Sequence, residues 1–293
     1  MKTLSFTTLP INAALKAASE FLKSELQWNA INETQSRYLS EFYDDKPDEF
    51  EFVKRKASKS IIDIVEFLSK NGFPNIHLDP LDPGEFAIAG VMDHLVNWEV
   101  AGRSSTLTGK DKNKYSAVDF SDGGWKVFTY SGHKHPVAVI STKSGDSVYL
   151  TFPKKEPQDT ISGLFDIVKF AEAITNNKGH QRHYDHLIIP KLKYEGDVDV
   201  TWIVGMKTID KNKNPWVIRK AIMKSRLKLN HLGARAQAAF AGVMAFSKGP
   251  SKRGKYLIFD RPFLIWFVHD KKVTYAAYIT EEQWKDPGDN IFN

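Results

Sequence analysis

The 293-residue chain contains no cysteine. Disulfide staples, thiolate catalysis and cysteine-ligated zinc are therefore excluded. Nor does any stretch approach the ~18 consecutive apolar residues of a membrane-spanning helix. Residues 1–10 are too polar and broken for the apolar core of a signal peptide, so a soluble, cytoplasmic protein with no membrane association is expected. Charge of one sign is not concentrated either. The net charge is +6, yet 35 acidic residues are mixed among 41 lysines and arginines. A nucleic-acid footprint needs clustered basic charge, so this dispersal argues against a nucleic-acid partner. What the chain does have is aromatic bulk, with 19 Phe, 10 Tyr and 7 Trp. That composition belongs to a packed globular protein, long enough for one large domain or two modest ones.

The first 85 residues read as helical. Residues 10–26 bring Ala14, Ala17, Ala18, Phe21, Leu22 and Leu26 near one face, with Pro10 suited to a first turn. Residues 34–42 predict a shorter helix, and residues 57–70 a third that stops at Asn71-Gly72. The acidic stretch 43–51 between them is expected to be exposed. From about Glu85 the pattern turns to strands. Residues 86–96 and 216–230 each read as one long strand, and 187–194 as a short strand-like piece containing Pro190. Residues 136–142 and 147–152 flank the turn signal Lys143-Ser144-Gly145-Asp146. Helical spacing returns at 161–174. Residues 263–268 and 273–279 form a strongly apolar hairpin. Helices first and antiparallel hairpins later predict an α+β fold.

The most informative run is Gly233-Ala234-Arg235-Ala236-Gln237-Ala238-Ala239-Phe240-Ala241-Gly242. Side chains alternate between the faces of a strand. Read that way, Ala234, Ala236, Ala238, Phe240 and Gly242 share one face, while Arg235, Gln237, Ala239 and Ala241 share the other. Three small apolar residues at alternate positions can enter a core without overpacking it, and Phe240 is the bulky exception. Read by propensity, the same run is a helix from Ala234 to Ser247 capped by Gly249.

The order of features over 86–287 resembles the serpin family. The residues that carry the likeness are the strand ending at Trp98, the hairpin ending Phe152-Pro153, and Ile189-Pro190-Lys191-Leu192-Lys193. They continue with the strand before Gly233, the Gly-then-Ala run itself, Asp260-Arg261-Pro262-Phe263-Leu264, and Pro287. The resemblance implies a single serpin-like domain over 1–293. Its helical region, 1–85, would be reduced, and the hinge and exposed loop of its sheet region would lie at 233–259. It also implies a protease inhibitor rather than an enzyme, needing no cofactor and no metal. A serine or cysteine protease attacks the loop, which then inserts as a new strand and traps the acyl-enzyme. On that reading the hinge is Gly233, Ala234, Ala236, Ala238 and Phe240. The reactive-loop candidates are Phe246, Ser247 and Lys248, with Phe246 suiting a chymotrypsin-like pocket and Lys248 a trypsin-like one. Arg253 is a further trypsin-like candidate. The family's polar latch positions fall on Gly90 and Met223, and its two acidic residues before the hinge glycine are His231 and Leu232. These departures imply an alternative, a non-inhibitory binding module for an intracellular protein partner.

Other clusters carry less. His180, His183 and His186 with Asp185 could converge on a metal, but spacing by three matches neither a strand face nor a zinc pattern, so a solvated loop is expected. His133-Lys134-His135 is read the same way. Ser247 with His269 and Asp270 lacks the nucleophile elbow of a hydrolase triad. Four basic residues from Lys248 to Lys255 read as a solvated loop, with a phosphate or acidic-partner patch as the alternative.

Overall fold

The computed structural model describes residues 3–44, 49–235 and 254–288. In chain order these residues form β1 (Leu4–Phe6), α1 (Leu9–Phe21), α2 (Glu33–Glu41), β2 (Val53–Ser58), α3 (Ile61–Lys70), β3 (Ala87–Met92) and β4 (Leu95–Asn97). Then come β5 (Arg103–Thr108), β6 (Lys114–Phe120), β7 (Trp125–Tyr130), β8 (His133–Ser141), β9 (Ser147–Thr151), α4 (Ile161–Asn176), β10 (His180–Arg182), β11 (His186–Pro190) and β12 (Leu192–Val198). The last elements are β13 (Lys207–Ile209), β14 (Pro215–Val217), β15 (Met223–Leu229), β16 (Gly233–Arg235), β17 (Tyr256–Ile258), β18 (Phe263–His269) and β19 (Lys272–Ile279). Short 3-10 turns lie at Thr201–Ile203 and Glu281–Gln283. No helix among the described residues is long and apolar enough to cross a membrane.

Two compact units divide the chain, and each is drawn from several segments. The first comprises 1–6, 95–195 and 226–293. Its largest sheet has seven strands in the order β1-β19-β18-β9-β8-β7-β10. Strand β18 is buried from Phe263 through Val268, which is why that run is apolar without alternation. Helix α4 packs on β1, β18 and β19. Phe165 meets Phe6 at a ring-centroid distance of 5.4 Å, and the Trp266 indole donates to Thr175 Oγ1 at 3.1 Å. Thr160 starts α4, its hydroxyl accepting from the Gly163 amide. A second sheet in this unit runs β17-β11-β6-β5.

The second unit comprises 7–94 and 196–225. Strands β2 and β3 pair antiparallel, and alternation along β3 divides its side chains between two helices. Ala89 and Val91 join Ile64 and Leu68 of α3. Met92 packs against the cluster of Leu9, Ala13, Phe50 and Val53. At Gly90 the backbone of α1 comes so close that a Cβ would overlap the Pro10 carbonyl oxygen and lie 3.0 Å from the Ala14 nitrogen.

The α+β class stands, and five sequence expectations are corrected. The third helix begins only at Ile61, after Ser60, whose hydroxyl accepts from the Asp63 amide as the N-cap, because residues 53–58 are extended and paired with β3. The expected strand 86–96 breaks at Asp93-His94 into β3 and β4. The expected strand 216–230 breaks between Val217 and Met223: β14 pairs with β13, whereas β15 pairs with β16. Residues 187–194 are two strands in two sheets, β11 and β12, divided at Lys191 just after Pro190, which has no N–H to continue a ladder. Phe50, inside the stretch expected to be exposed, is buried.

Gly90→Ala is expected to lower stability by about 1–3 kcal/mol, because a rigid helix backbone and not a movable side chain opposes the new methyl. Urea unfolding of the variant checks this, and an unchanged midpoint would contradict the packing described.

Candidate functional site: a hinge strand within a sheet

The chain reverses direction at 230–233. Asn230 is fully buried, and its side chain organises the turn. Its Oδ1 accepts from the Leu232 amide at 2.8 Å and from the Gly233 amide at 3.3 Å. Its own amide donates to the Gly233 carbonyl at 3.0 Å. Its carbonyl accepts from the Trp98 indole at 3.0 Å. An Asn side chain that bonds backbone amides two and three residues on is the usual device for such a turn. Two further backbone bonds fix the tip: Trp98 N to Leu232 O at 3.1 Å and Gly102 N to His231 O at 2.8 Å.

The reversal lays β16 antiparallel to β15 on one side and to β4 on the other, within a sheet ordered β12-β15-β16-β4. Leu229 and Val96 flank Ala234, and all three are buried. Gly233 pairs with Asn97, and Arg235 with both Lys228 and Leu95. Two of the predicted hinge residues, Gly233 and Ala234, thus lie with Arg235 in a strand that has a partner on each edge, so the helical alternative fails at Ala234 and Arg235. Gly233 and Ala234 are both buried. Ala236, Ala238, Phe240, Phe246, Ser247 and Lys248, like Arg253, lie outside the described residues.

The far side of the loop is anchored at Lys255. Its amide donates to Asp185 Oδ2 at 2.6 Å, and its carbonyl accepts from the Asp185 amide at 2.8 Å. That amide, more than any other group, holds the Asp185 carboxyl below the usual carboxylate range. The Lys255 ammonium sits 4.2 Å from the Tyr184 ring centroid. From there β17 runs parallel to β11, with Tyr256 stacked on the His186 ring at 4.4 Å. His186 Nδ1 in turn meets Asp119 at 3.0 Å. Sequence reading passed over Asp185 as part of a solvated histidine cluster. The structure disperses that cluster: His180 lies on β10, His183 is exposed beside Asp185, and His186 belongs to β11.

His269 bonds Asp146 Oδ1 at 2.6 Å and lies 3.7 Å from Asp270. Gly90 and Met223, the positions assigned to a polar latch, hold a helix contact and a buried thioether. His133 is not solvated as expected but buried. The Thr151 hydroxyl donates to the Pro136 carbonyl, so it accepts from His133 Nε2 at 2.8 Å, which leaves the proton of the neutral ring on Nε2. Burial, reinforced by His135 and Lys154, pushes this imidazole down to about 4.

Gly233–Arg235 is thus a strand paired on both edges, set in a mixed fold of helices and antiparallel sheets. No family model and no curated protein match the sequence. Solved structures do. Serpin48, a highly specific serpin of the insect Tenebrio molitor, aligns with a TM-score of 0.55 and 11% identity over 95% of this chain and 92% of its own. Thyroxine-binding globulin in complex with thyroxine aligns with a TM-score of 0.57 and 11% identity over 95% and 92%. Tengpin, a thermophilic serpin in its native state, aligns with a TM-score of 0.53 and 13% identity over 96% and 89%. The chain has a serpin-like fold.

The buried His133 predicts a pH dependence. An unfolded histidine titrates near 6.5. In the folded protein His133 stays neutral down to about pH 4. The unfolded state therefore takes up the proton first. The contribution is complete above pH 6.5 and is lost as pH falls towards 4, by a few kcal/mol at most. Urea midpoints of the wild type and His133→Leu, measured from pH 7 to 4, should differ less and less as pH falls. A difference independent of pH would contradict the neutral assignment.

Proposed function

We propose that the protein is a serpin-like protease inhibitor that acts as a suicide substrate through the loop after Gly233. One observation carries the reading: Gly233–Arg235 is already a strand between β15 and β4, with Ala234 buried on the inward face. Continued in that register, the strand would turn Ala236 and Ala238 inward, where small side chains fit, and Gln237 outward. Phe240 would be the first bulky residue to follow. The loop between β16 and β17 is the proposed bait, with Phe246, Ser247 and Lys248 around the scissile bond and a serine or cysteine protease of the cytoplasm as partner. Residues 1–293 are proposed to act as one domain, since the chain passes between its two units after residues 6, 94, 195 and 225.

A second reading, a non-inhibitory module for an intracellular protein partner, is favoured by one feature. Gly90 has no room for any side chain, so the amide that the serpin latch places there is absent. The two readings separate cleanly. Mixed with trypsin-like and chymotrypsin-like proteases, an inhibitor gives an SDS-stable covalent complex. Clean cleavage without a complex would leave the binding module. Ala236→Glu places a carboxylate on the inward face, where burial costs several kcal/mol. It should cut complex formation roughly a hundredfold or more and leave binding to a non-protease partner unchanged.

A further inference from the structure

The hinge turn has a support that the sequence did not reveal. Asn230 spends its Oδ1 and its backbone groups inside the turn and on Trp98, as described above. Its Nδ2 reaches elsewhere, to the carbonyl of Gly288 at 3.1 Å. That carbonyl belongs to a short segment after β19 which is itself fastened at two points. Trp284 is buried, in an edge-on contact with Tyr115 at 4.9 Å and a tilted contact with Phe263 at 6.4 Å. Asp286 grips both ends of the remaining link: its Oδ1 accepts from the Gly288 amide at 2.9 Å, and its Oδ2 from the Lys191 ammonium at 2.8 Å.

Lys191 is the residue that separates β11 from β12. Its side chain is only 7% exposed, whereas that of Asp286 is 40% exposed. A buried ammonium demands a partner far more than a half-exposed carboxylate does. Lys191 therefore holds Asp286 in place, and its own backbone is pinned by donation to the Ser116 carbonyl at 2.9 Å. A continuous chain of hydrogen bonds results, from Lys191 through Asp286 and Gly288 to Asn230 and on to the amides of Leu232 and Gly233. Every member lies in the first unit. Without the Gly288 carbonyl, the fully buried Asn230 amide would have two donors and no acceptor.

We infer that residues 284–288 form a strap that sets how readily the hinge turn and strand β16 open. The strap rests on the inhibitor reading only for its use: it would tune how fast the loop moves after attack. As a structural control of β16 it stands or falls alone. Two groups do the positioning, the Asp286 carboxylate and the Gly288 carbonyl.

Gly288 gives the cleanest test. Its φ of +77° favours glycine, and a Cβ there would meet nothing within 4 Å. Gly288→Ala thus strains the backbone without a clash and without touching the Lys191–Asp286 pair. Gly288→Asn tolerates a positive φ better and should rescue. Amide hydrogen exchange of the intact protein is the readout. In Gly288→Ala the amides of residues 232–235 should exchange roughly tenfold faster, those of β18 and β19 should be unchanged, and Gly288→Asn should recover most of the protection. Asp286→Asn, which leaves Lys191 buried without its counter-charge, should act in the same direction. Unchanged exchange at 232–235 in both Gly288→Ala and Asp286→Asn would overturn the strap. Equal acceleration in β18 and β19 would overturn it too, by making the effect one of global stability. Because the readout needs no protease, a protein that forms no covalent complex yet shows the local acceleration would lose the inhibitor reading and keep the strap.

Discussion

The hydrogen bonds gathered on the Asn230 side chain hold the reversal on which the rest of the site depends. A strand can sit in the middle of a sheet only if the chain arrives there in register, and register is decided at the turn. Asn230 binds the amides of Leu232 and Gly233, and so commits Ala234 to the inward face between Leu229 and Val96. A slip of one residue would turn Ala234 out of the core. Trp98 closes the arrangement from the other strand: its indole takes the Asn230 carbonyl and its backbone takes that of Leu232.

Both polar atoms of the buried Asn230 side chain are hydrogen-bonded, which is the condition for burying them. The same economy is seen where the loop returns. There Asp185 and Lys255 exchange two hydrogen bonds before β17 joins β11. The loop is thus held firmly at both ends by backbone-directed bonds, while the residues proposed to meet a protease lie between them.

Much of this was legible in the sequence. The apolar hairpin of β18 and β19, the β8–β9 hairpin and helix α4 follow from periodicity and turn signals that tertiary contacts reinforce. At the proposed hinge, propensity alone would have made Ala234 and Arg235 helical, but their partners on both edges make them strand. The misreadings share one cause. Residues 86–96, 187–194 and 216–230 each look like one strand, because propensity is local, whereas the breaks depend on which strand each half pairs with. The support from Lys191 and Asp286 was invisible for the same reason, as 95 positions separate the two. Asn230 could have been found, since an Asn three residues before a Gly between two strands is a turn signal in its own right. Gly90 carried no such mark: only the approach of α1 explains it.

The central claim is that β16 is the beginning of a strand that the loop can complete. The direct measurement is the melting temperature before and after a single cleavage between Arg235 and Gly254, with both fragments retained. If the freed segment extends β16 into the sheet, each new pairing adds backbone hydrogen bonds and buried apolar surface. Melting should then rise by on the order of ten degrees or more. A cleaved protein that melts at the same temperature as the intact chain, or below it, would contradict the account.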